Sequence, residues 1–195
     1  MLKSQLSKYN IILASGSPRR QQFFKELDIP FTTQVKPVEE VFPEHLKEKE
    51  IAEYLAVLKA SVFNELKKND ILITGDTIVL REGICLGKPK DENEATDMLR
   101  SLSGTHHDVI TSVCFTTSKT QLVMSDLTKV YFKKLSDAEI KFYIQNYQPF
   151  DKAGGYGIQE WIGAVGVTKI EGSYNTVMGL PTHLVYKTLI EFATQ

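Results

Sequence analysis

The sequence predicts an α/β protein built on a mixed, twisted sheet with flanking helices. Short apolar runs bounded by glycine and proline turns alternate with segments whose apolar residues recur at helical spacing. Two longer strand-like runs, Asp108–Thr117 and Gln121–Phe132, are separated only by Ser118, Lys119 and Thr120, which makes them neighbours in an antiparallel pair. Helices and strands alternate on either side of that pair, so the sheet is not a simple parallel array.

Each element has its own local cause. Asn10–Ala14 reads as a short buried strand. Ser17 is a good N-cap, and Pro18 suits the first helical position, where its missing N–H is no loss. Phe23, Phe24 and Leu27 give that helix an apolar face. Phe31–Pro43 is extended because Pro37 and Pro43 exclude helix around them. From Glu48 to Lys68, Ile51, Leu55, Leu58, Val62 and Leu66 follow helical spacing. Asp70–Leu80 is a strand, and Arg81-Glu82-Gly83 turns it into another, Ile84–Gly87. Asp91 caps a helix carrying Ala95, Met98, Leu99 and Leu102, which Gly104 ends. Alternation along the two long strands predicts one wet face. Ser136-Asp137-Ala138-Glu139 is a capping box that starts a further helix. Asp151–Gln159 is a glycine-rich loop, Val165–Gly172 a strand, and Asn175–Phe192 a closing helix.

A length of 195 residues fits one domain, or one domain with two lobes, with room for a real core. The formal charge of −1 gives the whole molecule no field that attracts nucleic acid or an anionic membrane. Neither partner is expected, and any phosphate binding must come from local clustering. Cys85 and Cys114 sit in apolar runs and read as buried thiols of a reducing compartment. No segment approaches the roughly 20 apolar residues of a membrane helix, so a cytoplasmic globular protein is expected.

Arg19 and Arg20 stand in the first turn of a predicted helix, where the macrodipole already carries positive charge. Two cations there call for an anion in front of them. Asp76 lies inside the apolar run Ile71–Leu80, where a carboxylate is costly unless cations or donors compensate it. It is either a strand-end cap or a metal ligand or general base. Lys59 falls on or beside the apolar face of its helix, as a snorkelling side chain or a functional one. Lys88 is fixed between Gly87 and Pro89, and Glu39 and Glu40 lie in the extended segment. His106 and His107 are adjacent and point apart on a strand, which argues against a histidine metal site. Taken together, Arg19, Arg20, Lys59 and Lys88, the acidic Glu39 and Asp76, and the glycine-rich turns are the inventory for a polyphosphate held with a divalent metal, Mg or Mn. The amides that start the first helix, with the Ser15 or Ser17 hydroxyl and the arginines, would form the anion cradle. No Walker loop occurs, so kinase and motor-type NTPase readings fall away.

The segments LASGSPRR, LKA, GDTIV, LGKP, RSLSGTHHDVITSV, DKAGGYGIQ and GSYNTVMGLP resemble, in order, the signature blocks of the Maf family of nucleoside triphosphate pyrophosphatases. The resemblance runs from about Ile11 to Phe192. It implies an inosine-triphosphate-pyrophosphatase-like (Maf/Ham) fold, a single nucleotide pyrophosphatase domain over residues 1–195 with two lobes around a deep cleft, and commonly a homodimer. It implies hydrolysis between the α- and β-phosphates with a divalent cation. Position by position, it implies Asp76 as proton acceptor; Arg19, Thr77 and Gln159 in substrate choice; Ser15, Arg20, Lys59 and Lys88 as phosphate contacts; and Glu39, with Asp76, near the metal. The loop ending in Gln159 is similar to the branch acting on dTTP and UTP, for which removal of modified nucleotides is a further expectation. A relative acting on CTP or 7-methylguanosine triphosphate, and a nucleotide-binding regulator of septum formation, are the alternative readings. Gly75 stands where alanine is usual in this family, and Gly155 where alanine is common; Asn175–Met178 varies a stretch often richer in valine.

Overall fold

The computed structural model describes residues 2–194. Helix α1 (Leu2–Gln5) precedes strand β1 (Asn10–Leu13), whose last three residues are buried. Helix α2 (Pro18–Glu26) starts as its sequence dictates, with Ser17 Oγ accepting from the Arg20 amide at 3.5 Å. Strand β2 (Thr32–Thr33) is followed by helix α3 (Lys49–Ser61), which stops well before Lys68. Two contacts follow its end: Lys36 Nζ donates to the Val62 carbonyl at 3.0 Å from a distant segment, and Asp70 Oδ2 accepts from the Lys67 amide at 2.9 Å, turning the chain into strand β3 (Asp70–Arg81). Glu82 and Gly83, both in the left-handed region, fold strand β4 (Ile84–Leu86) back onto β3. Helix α4 (Glu92–Leu102) is capped by Asp91, whose Oδ1 accepts from the Glu94 amide at 2.9 Å. Strands β5 (His106–Thr116) and β6 (Gln121–Phe132) follow, then helix α5 (Asp137–Tyr147) with its capping box complete.

The sheet order is β2-β1-β3-β5-β6-β7, with β4 paired to β3 and strand β7 (Val167–Glu171) at the far end. β1 runs parallel to β2 and β3, whereas β4 and β7 run antiparallel to β3 and β6, so the sheet is mixed as expected. Strand β5 departs from expectation. Val109 to Phe115 are buried without a break, because β5 lies between β3 and β6 with both faces covered; exposure is confined to parts of β6, such as Leu122 and Leu127. The glycine-rich loop contains two 3-10 turns, Pro149–Asp151 and Ala153–Gly155, and leads into helix α6 (Trp161–Gly166). The expected single closing helix is two: α7 (Tyr174–Val177) and α8 (Thr182–Thr194). Gly179, at φ 105°, and Pro181 end one and start the other.

Two compact units divide the chain. The first comprises the residues through Asp76, Thr111–Asp126 and the chain from Gly179 onward, with Ile12, Ala56, Ala60, Leu72 and Cys114 packed in one core. The second comprises Thr77–Ile110 and Leu127–Met178, with Leu99, Leu102, Val109, Val130, Ile140 and Tyr143 in its core. Among the described residues no helix is long and apolar enough to cross a membrane.

Candidate active site

The parallel register of β1 on β3 brings the Ser-Gly-Ser turn beside the middle of β3. Leu13 lies opposite Ile73, and the Ala14 amide donates to the Ile73 carbonyl at 2.9 Å. Arg20 then ties three segments together. Its Nε donates to the Gly179 carbonyl at 2.7 Å, and one terminal nitrogen donates to the Gly75 carbonyl at 2.8 Å and to Ser15 Oγ at 3.5 Å. Burial pushes the Arg20 guanidinium below its ordinary value, and the Asp76 charge opposes that shift. Gly75 is required by close approach: a Cβ there would sit 2.9 Å from the Ser112 carbonyl oxygen of β5.

Helix α3 supplies the next group. Thr74 Oγ1 donates to the Ala56 carbonyl at 2.7 Å and holds the helix against β3. Lys59, in the last turn of α3, therefore reaches the strand. Its Nζ lies 2.6 Å from Asp76 Oδ1 and 3.1 Å from Glu40 Oε1. Asp76 is 7% exposed. Burial pushes its carboxyl above the usual carboxylate range; Lys59 and Arg20 pull it back, and Glu40 adds to the rise. The result is a carboxyl more basic than an ordinary aspartate, the property a general base needs.

A cavity of about 210 Å³ opens beside this cluster. Ser15, Gly16, Arg20, Lys36, Glu40 and Lys59 form its polar wall, and Val35, Pro37, Val38 and Phe63 line the rest. Ser15 and Arg20 are thus in contact, as are Lys59 and Asp76. Arg19 is half-buried next to Arg20, whose charge it opposes. In the extended segment Glu39 is exposed, and it is its neighbour Glu40 that bonds Lys59. Glu40, Lys36 and the Gly179 carbonyl were not singled out as site groups in the sequence. Both acids are exposed, and an extended segment without period leaves open which of the two meets Lys59.

The remaining named residues belong to the second unit. Thr77 follows Asp76 in β3 and is half-buried, and Lys88 and Gln159 are exposed. Their two loops meet: the Gly154 amide donates to the Gly87 carbonyl at 3.0 Å. Gly154, at φ 72°, packs so tightly that a Cβ would lie 3.0 Å from Val79. The stretch before Gln159 is braced from inside, with Lys152 Nζ 3.1 Å from Glu160 Oε1, Tyr143 donating to Glu160 Oε2, and the Gly157 amide donating to Tyr143 at 2.9 Å.

No group of three or more His, Cys, Asp or Glu side chains able to hold a metal occurs among the described residues. Two carboxylates, Asp76 and Glu40, do converge on one cationic point, the Lys59 ammonium. Both are hard oxygen donors of the kind magnesium or manganese takes, but the Lys59 ammonium stands between them, so a cation bound to both would require Lys59 to move aside.

The family model described as Maf-like protein matches residues 10–192. The chain belongs to the Maf-like family. A Christiangramia forsetii protein named dTTP/UTP pyrophosphatase is 60% identical to this Maf-like chain over 192 residues, covering 98% of each. A Flavobacterium johnsoniae protein of the same name is 58% identical over 190 residues, covering 97% of this chain and 98% of its own. A solved HAM1 protein from Coxiella burnetii aligns with a TM-score of 0.49 at 15% identity, over 94% of this chain and 99% of that one.

Proposed function

We propose that this chain is a nucleoside triphosphate pyrophosphatase that hydrolyses dTTP and UTP to the nucleoside monophosphate and pyrophosphate. The observation that carries the reading is the Lys59 ammonium held between Asp76 and Glu40, beside a turn that Arg20 and Ser15 build for an anion. Relatives up to 60% identical over nearly the whole chain bear that activity in their names.

The mechanism follows from the charges. A triphosphate carries about four negative charges near neutrality, which repel an attacking water. Arg20 and Lys59 lower that repulsion, and Asp76 orients the water and takes its proton as the oxygen bonds to the α-phosphorus. The bond from the α-phosphorus to the bridging oxygen breaks, and pyrophosphate leaves with the bond's electron pair. Lys59 occupies Oδ1 of Asp76, which leaves Oδ2 for the proton. A divalent cation held by Asp76 and Glu40 would neutralise charge on the phosphate oxygens. Gln159 has one donor and one acceptor group, suited to the carbonyls and N–H of uracil or thymine, and cytosine reverses part of that pattern. The cytoplasm is the place of action we assign, where such triphosphates are made and where unoxidised thiols such as those of Cys85 and Cys114 persist.

The test is a panel of dTTP, UTP, CTP and 7-methylguanosine triphosphate with magnesium or manganese, scored for pyrophosphate against orthophosphate. Pyrophosphate from dTTP and UTP in preference to the others is expected. Orthophosphate release, or equal turnover of CTP, overturns the assignment.

A further inference from the structure

Of the three cations around the first unit's cavity, two are already engaged. Lys59 is matched by Asp76 and outweighed once Glu40 is counted. Arg20 spends Nε and one terminal nitrogen on the Gly179 and Gly75 carbonyls and also faces the Asp76 charge. Lys36 differs. It lines the same cavity from the extended segment between β2 and α3, and the groups that hold it are neutral. Its ammonium donates to the Val62 carbonyl at 3.0 Å and stands 4.7 Å from the centre of the Phe63 ring. The carbonyl at the C-terminal end of α3 carries partial negative charge, and a ring face attracts a cation. Both fix the ammonium without cancelling its charge. One of its three N–H donors meets Val62, which leaves two for an anion.

We infer that Lys36 is a further substrate-binding residue, contacting the pyrophosphate portion of the triphosphate. Asp76 is not among the residues lining the cavity, whereas Lys36 and Phe63 are, so the cavity extends away from the group that handles the attacking water. The part of the substrate seated against Lys36 is then the leaving portion. This inference rests on the triphosphate reading above. Because Lys36 lies beyond the reacting atoms and is held in place before substrate arrives, it strengthens ground-state and transition-state binding alike, and its removal raises KM rather than lowering kcat.

The experiment compares the full chain with Lys36→Met, which keeps an apolar stem against Phe63, and Lys36→Arg, which keeps the charge. KM for dTTP and the competitive inhibition constant of inorganic pyrophosphate are each expected to rise about tenfold in the Met variant, as the loss of one charge-assisted hydrogen bond implies. Its kcat and its inhibition by thymidine monophosphate should stay near those of the parent, and the Arg variant should recover most of the loss. If Lys36→Met does not fold, Lys36→Gln, which still donates to Val62, takes its place. Unchanged KM and pyrophosphate constants, or an equal weakening of monophosphate binding, overturn the inference. Failure of the parent to release pyrophosphate from dTTP or UTP sinks the enzyme reading instead; calorimetric binding of pyrophosphate to parent and variant then decides Lys36 separately.

Discussion

Lys59 Nζ stands 2.6 Å from Asp76 Oδ1, and that contact favours the charged form of a buried carboxyl. Burial alone would favour the neutral acid; the ammonium and its hydrogen bond pull the other way. How this pair titrates is therefore tied to whether the site works.

Replacing Asp76 by Asn removes the carboxylate we propose as proton acceptor while keeping the shape. Turnover should fall by about a hundred- to ten-thousand-fold, the usual range for a general base. Stability should not fall with it. A carboxyl raised above its unfolded value stabilises the fold only at low pH, and that contribution is lost as pH rises through the folded value. Above that value the buried charge is a burden, and Lys59 in the variant still has Glu40. Steady-state turnover and thermal unfolding at pH 7, measured side by side, check both halves.

Lys59→Met removes the strongest influence that lowers the Asp76 carboxyl. The acid limb of kcat/KM, which reports loss of the carboxylate, should then move to higher pH. A limb that stays in place while activity drops uniformly would make Lys59 a phosphate contact only.

Gly75→Ala places a methyl group 2.9 Å from the Ser112 carbonyl oxygen, closer than β3 and β5 allow without moving. Overpacking of this kind costs about 1–3 kcal/mol. Since Arg20 is anchored on the Gly75 carbonyl, KM should rise together with the loss of stability. The substitution also tests how closely the two strands of this chain have closed up around the glycine. Denaturant unfolding and KM decide it.

His107 sets part of the acid sensitivity of the second unit. It is buried, its Nε2 lies 2.6 Å from the Tyr156 hydroxyl, and its Nδ1 is buried without a hydrogen bond. Burial, aided by the Arg81 and His106 charges, pushes its pKa down to about 3. A depressed histidine stabilises the fold fully above its unfolded value near 6.5 and loses that contribution as pH falls toward the folded one. Stability should decline between pH 6.5 and 3 with a slope of up to about 1.4 kcal/mol per pH unit from this residue. Urea unfolding across that range, compared with His107→Gln, should show a flatter slope in the variant.

Elements whose causes lie within a few residues are legible in the sequence itself. The cap at Ser17, the capping box at Ser136 and Glu139, and the apolar run around Asp76 act through neighbours along the chain, so α2, α5 and β3 follow from the sequence alone. So does the family, because seven ordered motifs carry it. Tertiary structure decided the rest. The length of α3 depends on Lys36 reaching Val62 from 26 residues away, and the dry faces of β5 depend on the strands placed beside it. The choice of Glu40 over Glu39 as the partner of Lys59 depends on how an aperiodic segment crosses the end of α3. Local sequence sets backbone preference at the scale of a turn. Which charges meet is set by contacts between distant segments, and no spacing along the chain encodes those distances.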